Sequence, residues 1–182
     1  MRVIAGSLGG RRLKAPPGRR TRPTSERVRE ALFSMLGGVA GASVLDLFAG
    51  TGALGIEALS RGARTAVFVE RDAATARVLD ANLQALDIVP PQAQVRRADV
   101  LDALRSASGR KETYDLVFID PPYDQAREWG PRLSALLPAL LGPGARVVVE
   151  SDRRARLQLT DELTALRCRR YGDTSITIHG HQ

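Results

Sequence analysis

VLDLFAGTGALGIEAL, residues 44–59, places a short apolar strand, a turn containing Gly50 and Gly52, and an apolar helix in immediate succession. Strand, glycine turn and helix form the repeating unit of parallel-sheet proteins. Glycine opens backbone conformations closed to other residues and carries no side chain. A ligand can therefore approach the main chain and the positive N-terminus of the helix. Gly55 completes a G-x-G-x-x-G match, which taken alone points equally to a dinucleotide.

Outward from this stretch the same alternation continues. Strands are expected at Ser43 to Leu47, Thr65 to Val69, Ala93 to Arg97, Leu116 to Ile119 and Arg146 to Glu150. Helices are expected near Gly52 to Ser60, Ala73 to Leu86, Leu101 to Ser106 and Arg127 to Leu141, the last interrupted or ended near Pro138. Pro90-Pro91 and Gly142-Pro143-Gly144 read as turns. After Glu150 a short helical stretch precedes Leu166 to Tyr171, a Gly172-Asp173 turn and Ser175 to His179, which read as a closing hairpin. Before the glycine turn, Val3 to Ala5 and Arg11 to Lys14 flank a glycine-rich turn, and a helix is expected from about Thr24 to Leu36 with Thr24 or Ser25 as its N-cap. The pattern predicts one α/β domain with a mostly parallel sheet, residues 24–182, behind a small basic N-terminal hairpin or extension, residues 1–23.

Composition agrees. Aromatic residues make up 4% of the 182 residues, so the core must come from Ala, Leu and Val, which suits helices packed on a parallel sheet. Cys168 is the only cysteine, which excludes an internal disulfide and a cysteine-based metal site; no metal is expected. The first residues lack a signal-peptide run and no stretch reaches membrane-span length, so a cytoplasmic protein without membrane contact is expected. The net charge of +7 is local. Residues 1–36 carry nine basic side chains against Glu26 and Glu30, and the remaining residues balance at 18 basic and 18 acidic. A concentrated positive field favours phosphate, hence nucleic acid; a solubilising tail or an anionic membrane contact are the other readings.

Three acidic residues at successive strand ends suit S-adenosylmethionine. Asp46 precedes the turn, where it can face a cationic amino group. Glu70 in FVERD can accept from a ribose diol, a role it would also serve in a nucleotide dehydrogenase. Asp99 in RRADV can accept from an adenine amine or simply cap the next helix. The sharpest signal is Asp120-Pro121-Pro122-Tyr123 at the end of the fourth strand, which would face the same crevice. The Asp120 carboxylate and the Pro121 carbonyl can accept both N–H bonds of an exocyclic base amine and localise its lone pair, Pro122 fixes the backbone, and Tyr123 can stack on the base.

DLFAGTG, FVERD and DPPY together resemble the amino-methyltransferases acting on DNA, RNA or protein amides. RVIAGSLGGRRLKAPP, RPTSERVREALFSML and DLFAGTGALGIEALSRGA, with VVVES and RRYGDTSITI further on, resemble the bacterial RsmD-type family, and the likeness runs over nearly the whole chain. That resemblance implies a Rossmann-like methyltransferase fold with a seven-stranded sheet. It also implies S-adenosylmethionine as cofactor and methylation of a guanine N2 amine in small-subunit ribosomal RNA. Residues implied at the cofactor are Thr24, Arg27, Asp46, Phe48, Gly50, Gly52, Glu70, Arg71, Asp99 and Val100. Asp120, Pro121, Pro122 and Tyr123 are implied at the base, and Arg11, Arg12, Lys14, Arg19, Arg20 and Arg22 at RNA phosphates. A monomer acting on the 30S particle, whole or partly assembled, is expected. Motif chemistry alone does not separate guanine N2 from adenine N6. A nicotinamide oxidoreductase would leave DPPY unused, and a non-catalytic RNA-binding assembly factor would leave the glycine turn unused.

Overall fold

The computed structural model describes residues 1–15, 25–122, 126–152, 157–160 and 162–181. Helices α1 (Glu26–Leu36), α2 (Ala53–Ser60), α3 (Ala73–Ala85), α4 (Val100–Gly109) and α5 (Ala126–Ser134) alternate with strands β1 (Ser43–Leu47), β2 (Thr65–Val69), β3 (Ala93–Arg96), β4 (Tyr114–Ile119) and β5 (Leu141–Asp152). Strands β6 (Leu163–Tyr171) and β7 (Thr174–His181) close the chain as an antiparallel pair. The sheet order is β3-β2-β1-β4-β5-β7-β6, with β1 to β5 parallel. This is the Rossmann-like, seven-stranded arrangement expected. Chain order reverses between β1 and β4, and that reversal opens a crevice beyond the carboxyl ends of the two strands.

Both faces of the sheet are buried because alternate strand residues enter different cores. Val44, Phe68, Leu116 and Phe118 pack against α1, α2 and α3 with Leu32, Phe33, Ile56 and Leu79. Leu45, Val69, Val117 and Ile119 pack on the other side with Leu101, Leu104, Trp129 and Leu133. The strands therefore read as nearly continuous apolar runs, and their positions follow the sequence closely.

Four details differ from expectation. Helix α5 ends at Ser134, before Pro138, which opens a separate 3-10 turn, Pro138–Leu140. β3 stops at Arg96 rather than Arg97. Gly142-Pro143-Gly144 lies within β5, where the pairing with β4 shifts register between Tyr114 and Leu116, so the punctuation marks an irregular strand start and not a turn. Strand β5 also runs on to Asp152, and residues 157–160 are not helical, so the helical stretch expected after Glu150 has no counterpart among the described residues. Ser25 caps α1 by accepting from the Val28 amide at 3.3 Å. No helix among the described residues is long and apolar enough to cross a membrane.

The N-terminal segments run antiparallel through an isolated bridge between Arg2 and Arg12, with the Val3 amide donating to the Arg11 carbonyl and the Gly10 amide to the Val3 carbonyl, both at 2.9 Å. The resulting hairpin is bound tightly to the helices. Buried Glu57 of α2 accepts from the Ile4 and Ala5 amides at 2.7 and 3.1 Å, and Val3 and Leu13 enter the first core. Gly6 has no room for a side chain, since a Cβ there would lie 1.8 Å from the Ser60 carbonyl oxygen.

Candidate active site

The register lines up the ends of four strands. Leu47 lies opposite both Val69 and Ile119, and Val69 lies opposite Arg96. The next residues along each strand, Phe48, Glu70 and Asp120, with Asp99 just beyond β3, therefore come out on one edge of the sheet at the point where chain order reverses.

Within the glycine turn, Gly50 and Gly52 take positive φ of 56° and 83°. Gly52 forms the N-cap of α2 and has no space for a methyl group, because a Cβ would stand 2.3 Å from Leu79 Cδ1. The third glycine serves packing. A Cβ on Gly55 would come within 2.3 Å of the Phe68 ring and 3.1 Å of Asp46 Oδ2. Its absence lets the Gly55 amide donate to Asp46 at 2.9 Å. Ala53 and Leu54, at the first turn of α2, have amides with no acceptor inside the helix.

Asp46 is 2% exposed. Burial pushes its carboxyl up to about 7; the Gly55 amide opposes that rise and the charge of Glu70 adds to it. Glu70 anchors the turn from the neighbouring strand: one oxygen accepts from the Gly50 amide at 3.0 Å and the other from Asp72 at 2.7 Å. Each oxygen keeps a second lone pair for a ligand hydroxyl. Asp99 caps α4 by accepting from the Leu101 amide at 2.9 Å, and Val100 is buried behind it. Arg71 points to solvent. Phe48 holds a left-handed backbone, φ 61°, and its ring meets Trp129 edge-on at 4.9 Å. An aromatic contact of this kind offsets the steric cost of that conformation.

At the end of β4, Asp120 is partly buried, Pro121 buried and Pro122 exposed. Asp120, Pro121 and Pro122 thus stand one strand from the glycine turn. Tyr123, Thr24, Arg19, Arg20 and Arg22 lie outside the described residues. Arg27 is exposed on α1, while the buried cation of that helix is Arg29. Arg29 donates to the Arg2 carbonyl at 2.5 Å and makes a longer contact, 3.5 Å, with the Ala53 carbonyl at the start of α2. Of the residues expected at RNA, Arg11 and Arg12 are exposed, and Arg11 donates to the Ala85 carbonyl at the end of α3. Lys14 is exposed, with its backbone held by Asn82.

Asn82 and Glu57 escaped the sequence reading. Asn82 is a polar residue on the buried stripe of α3 with Thr75, Ala76, Leu79 and Leu83, and Glu57 a charge in a helix buried almost all round. A polar group in such a place needs partners, and that requirement was the available signal.

Residues 1–180 match the family described as conserved hypothetical protein 95. The chain is 41% identical to YlbH of Bacillus subtilis, over 98% of each chain. It is 34% identical to the ribosomal RNA small subunit methyltransferase D of Haemophilus influenzae, over 98% of this chain and 93% of that one. It belongs to the ribosomal RNA small subunit methyltransferase D family. The solved structures agree with that family's fold: yhhF from Escherichia coli superposes with a TM-score of 0.85 at 32% identity, over 100% of this chain and 98% of that one. A more distant likeness, TM-score 0.66 at 25% identity over 91% of this chain and 45% of that one, is to the Thermus thermophilus 16S rRNA N2 G1207 methyltransferase in complex with AdoMet and guanosine.

Proposed function

We propose that the chain transfers a methyl group from S-adenosylmethionine to the exocyclic N2 amine of a guanine in small-subunit ribosomal RNA, presented by a whole or partly assembled 30S particle. The observation that carries this reading is the adjacency of two motifs. The glycine turn after β1 and Asp120-Pro121-Pro122 after β4 leave neighbouring strands at the same edge of the sheet. The family named above supports the ribosomal substrate.

The residues present fit the cofactor. Gly50 and Gly52 form a cradle without side chains, and Asp46, Glu70 and Asp99 supply carboxylates suited to an ammonium, a diol and an adenine amine. No pyrophosphate-binding cation stands among them. When bound, S-adenosylmethionine supplies an electrophilic methyl on a sulfonium. The chain's own contribution is positioning and polarisation. Asp120 and the Pro121 carbonyl accept the two N–H bonds of the amine, which favours a pyramidal nitrogen and stabilises the positive charge that grows on it. Pro121 and Pro122 fix the backbone that carries those acceptors and leave no amide hydrogen to satisfy. Tyr123 stacks on the base, and Arg12, Lys14, Arg19, Arg20 and Arg22 hold phosphates.

The test is transfer of labelled methyl to unmodified small subunits, protein-free ribosomal RNA and DNA in parallel, followed by nucleoside analysis. N2-methylguanosine, most abundant from the particle, is the expected product. Label in N6-methyladenine or in DNA would overturn the base assignment, and equal labelling of naked RNA would overturn the assembled substrate.

A further inference from the structure

The sequence places the basic excess at the front of the chain, yet the tertiary structure exposes a second cationic surface. β6 forms one edge of the sheet, and seven of its nine residues are exposed. The strand reads LTALRCRRY, with three arginines and no acid, and Leu166 is 59% exposed. Arg167 is committed to the fold, donating to the Met35 carbonyl of α1 at 3.0 Å. Arg169 and Arg170 make no side-chain hydrogen bond or ion pair among the described residues. They point to opposite faces of the strand, Arg169 with Ile176 and Arg170 with Ser175 across the pair.

Register relates these arginines to the active site. Ile119 of β4 lies opposite Val149, Val149 opposite Thr177, and Thr177 opposite Cys168. One residue further along this row stand Asp120, Glu150, Ile176 and Arg169. Two antiparallel steps separate β6 from β5, so β6 runs in the direction of β4 and its arginines emerge at the same end of the sheet as Asp120. Three strand spacings of about 4.8 Å put Arg169 roughly 14 Å from Asp120 along the sheet. The basic N-terminal hairpin packs on α2 and α3, on the β1-β2-β3 side. β6 lies on the other side of the β1-β4 switch point. Among nearby acids, Glu150 is buried, and Asp152 and Asp173 have partners of their own.

We propose that Arg169 and Arg170 at the end of β6 form a second phosphate-binding surface, which holds the RNA backbone a few nucleotides from the base engaged at Asp120. This rests on the ribosomal RNA reading above. Charge complementarity selects the occupant: two guanidinium groups on opposite faces of one edge can follow a polyanion across the strand. The rival role for edge arginines is to prevent pairing with a second chain.

The deciding experiment measures binding of R169E/R170E to a transcript of small-subunit ribosomal RNA across a salt series, beside wild type and R169Q/R170Q. S-adenosylhomocysteine binding reports that each variant is folded. The expected result is at least about tenfold weaker RNA binding for the glutamate variant and a smaller loss for the glutamine variant. The salt slope should fall by about 0.7 to 1.4, for one or two lost phosphate contacts to a single strand. Unchanged RNA affinity and slope, or self-association of the variants with RNA affinity intact, would overturn the proposal. Methyl transfer by wild type to the unmodified subunit separates the two readings. Failure there strikes the ribosomal assignment, whereas success with unaltered binding by R169E/R170E strikes only the β6 surface.

Discussion

The side-chain amide nitrogen of Asn82 donates to the carbonyl of Thr51 at 3.0 Å, and so ties the glycine turn to α3. The same nitrogen donates to the Lys14 carbonyl at 3.1 Å, and the Asn82 oxygen accepts from the Lys14 amide at 2.8 Å. One buried amide therefore joins the glycine turn to the end of the basic hairpin.

Asn82→Leu removes all three bonds, so the buried Asn82 amide no longer serves the Lys14 and Thr51 backbone groups. Loss of about 2–4 kcal/mol of stability is expected, with weaker S-adenosylhomocysteine binding. Asn82→Asp keeps the shape but sets an acceptor against two carbonyls, and should weaken binding as well. Denaturant melts and titration calorimetry check both; wild-type affinity in Asn82→Asp would rule out the link to the cradle.

Gly50 and Gly52 should respond differently to alanine. At Gly52 the methyl meets Leu79 and Ile56 in a left-handed backbone, so strain and overpacking together cost about 2–4 kcal/mol. At Gly50 the nearest atom would be 3.9 Å away, leaving only the backbone cost of about 1 kcal/mol. Chemical denaturation of the two variants side by side tests the order.

Asp46 imposes a pH dependence whose sign follows from its raised carboxyl. Between its ordinary value of 3.8 and about 7 the unfolded chain has lost the proton and the folded chain keeps it. Stability from this group is therefore greatest below pH 4, falls as pH rises to about 7, and is level beyond, a change of up to about 4 kcal/mol. Asp46→Asn removes the titration, so the variant should gain on wild type steadily across that window. A ligand ammonium group reverses the preference: S-adenosylhomocysteine, which carries one, should bind wild type more tightly as pH rises through 7, and Asp46→Asn should bind it weakly at every pH. Parallel pH profiles of the two proteins would expose an error in either statement.

Glu112 works in the opposite direction. Burial would raise its carboxyl, but bonds from Arg96, Tyr114 and Arg110 outweigh that and hold it at about 2. Its stabilisation is present above its ordinary value of 4.5 and is lost as pH falls toward 2. Glu112→Gln should unfold more readily at neutral pH, with the deficit disappearing in acid; a constant deficit at all pH would show that charge is not its contribution.

Asp120→Ala should leave S-adenosylhomocysteine affinity within about twofold while transfer to the small subunit falls at least about 100-fold. Its proposed contact is to the amine, not to the cofactor. Retained turnover would remove Asp120 from the reaction.

The sequence by itself determined which segments become the parallel strands, and the bounds of β1 and β2. Val44 to Leu47, Thr65 to Val69 and Leu116 to Ile119 are short apolar runs between helix and turn signals, and burial on both faces leaves such runs little other place. It also set Gly50, Gly52, Asp46, Glu70 and Asp120 in local motifs at strand ends, which the register brings to one edge of the sheet. Only the tertiary structure decided what crosses between elements. Asn82 meeting Thr51 and Lys14, Glu57 holding Ile4 and Ala5, Arg29 rather than Arg27 becoming the buried cation, and Arg169 falling in the row of Asp120 all depend on residues far apart in the chain. Local propensity has no access to such pairings, because sheet register and helix docking fix them only when the whole core closes.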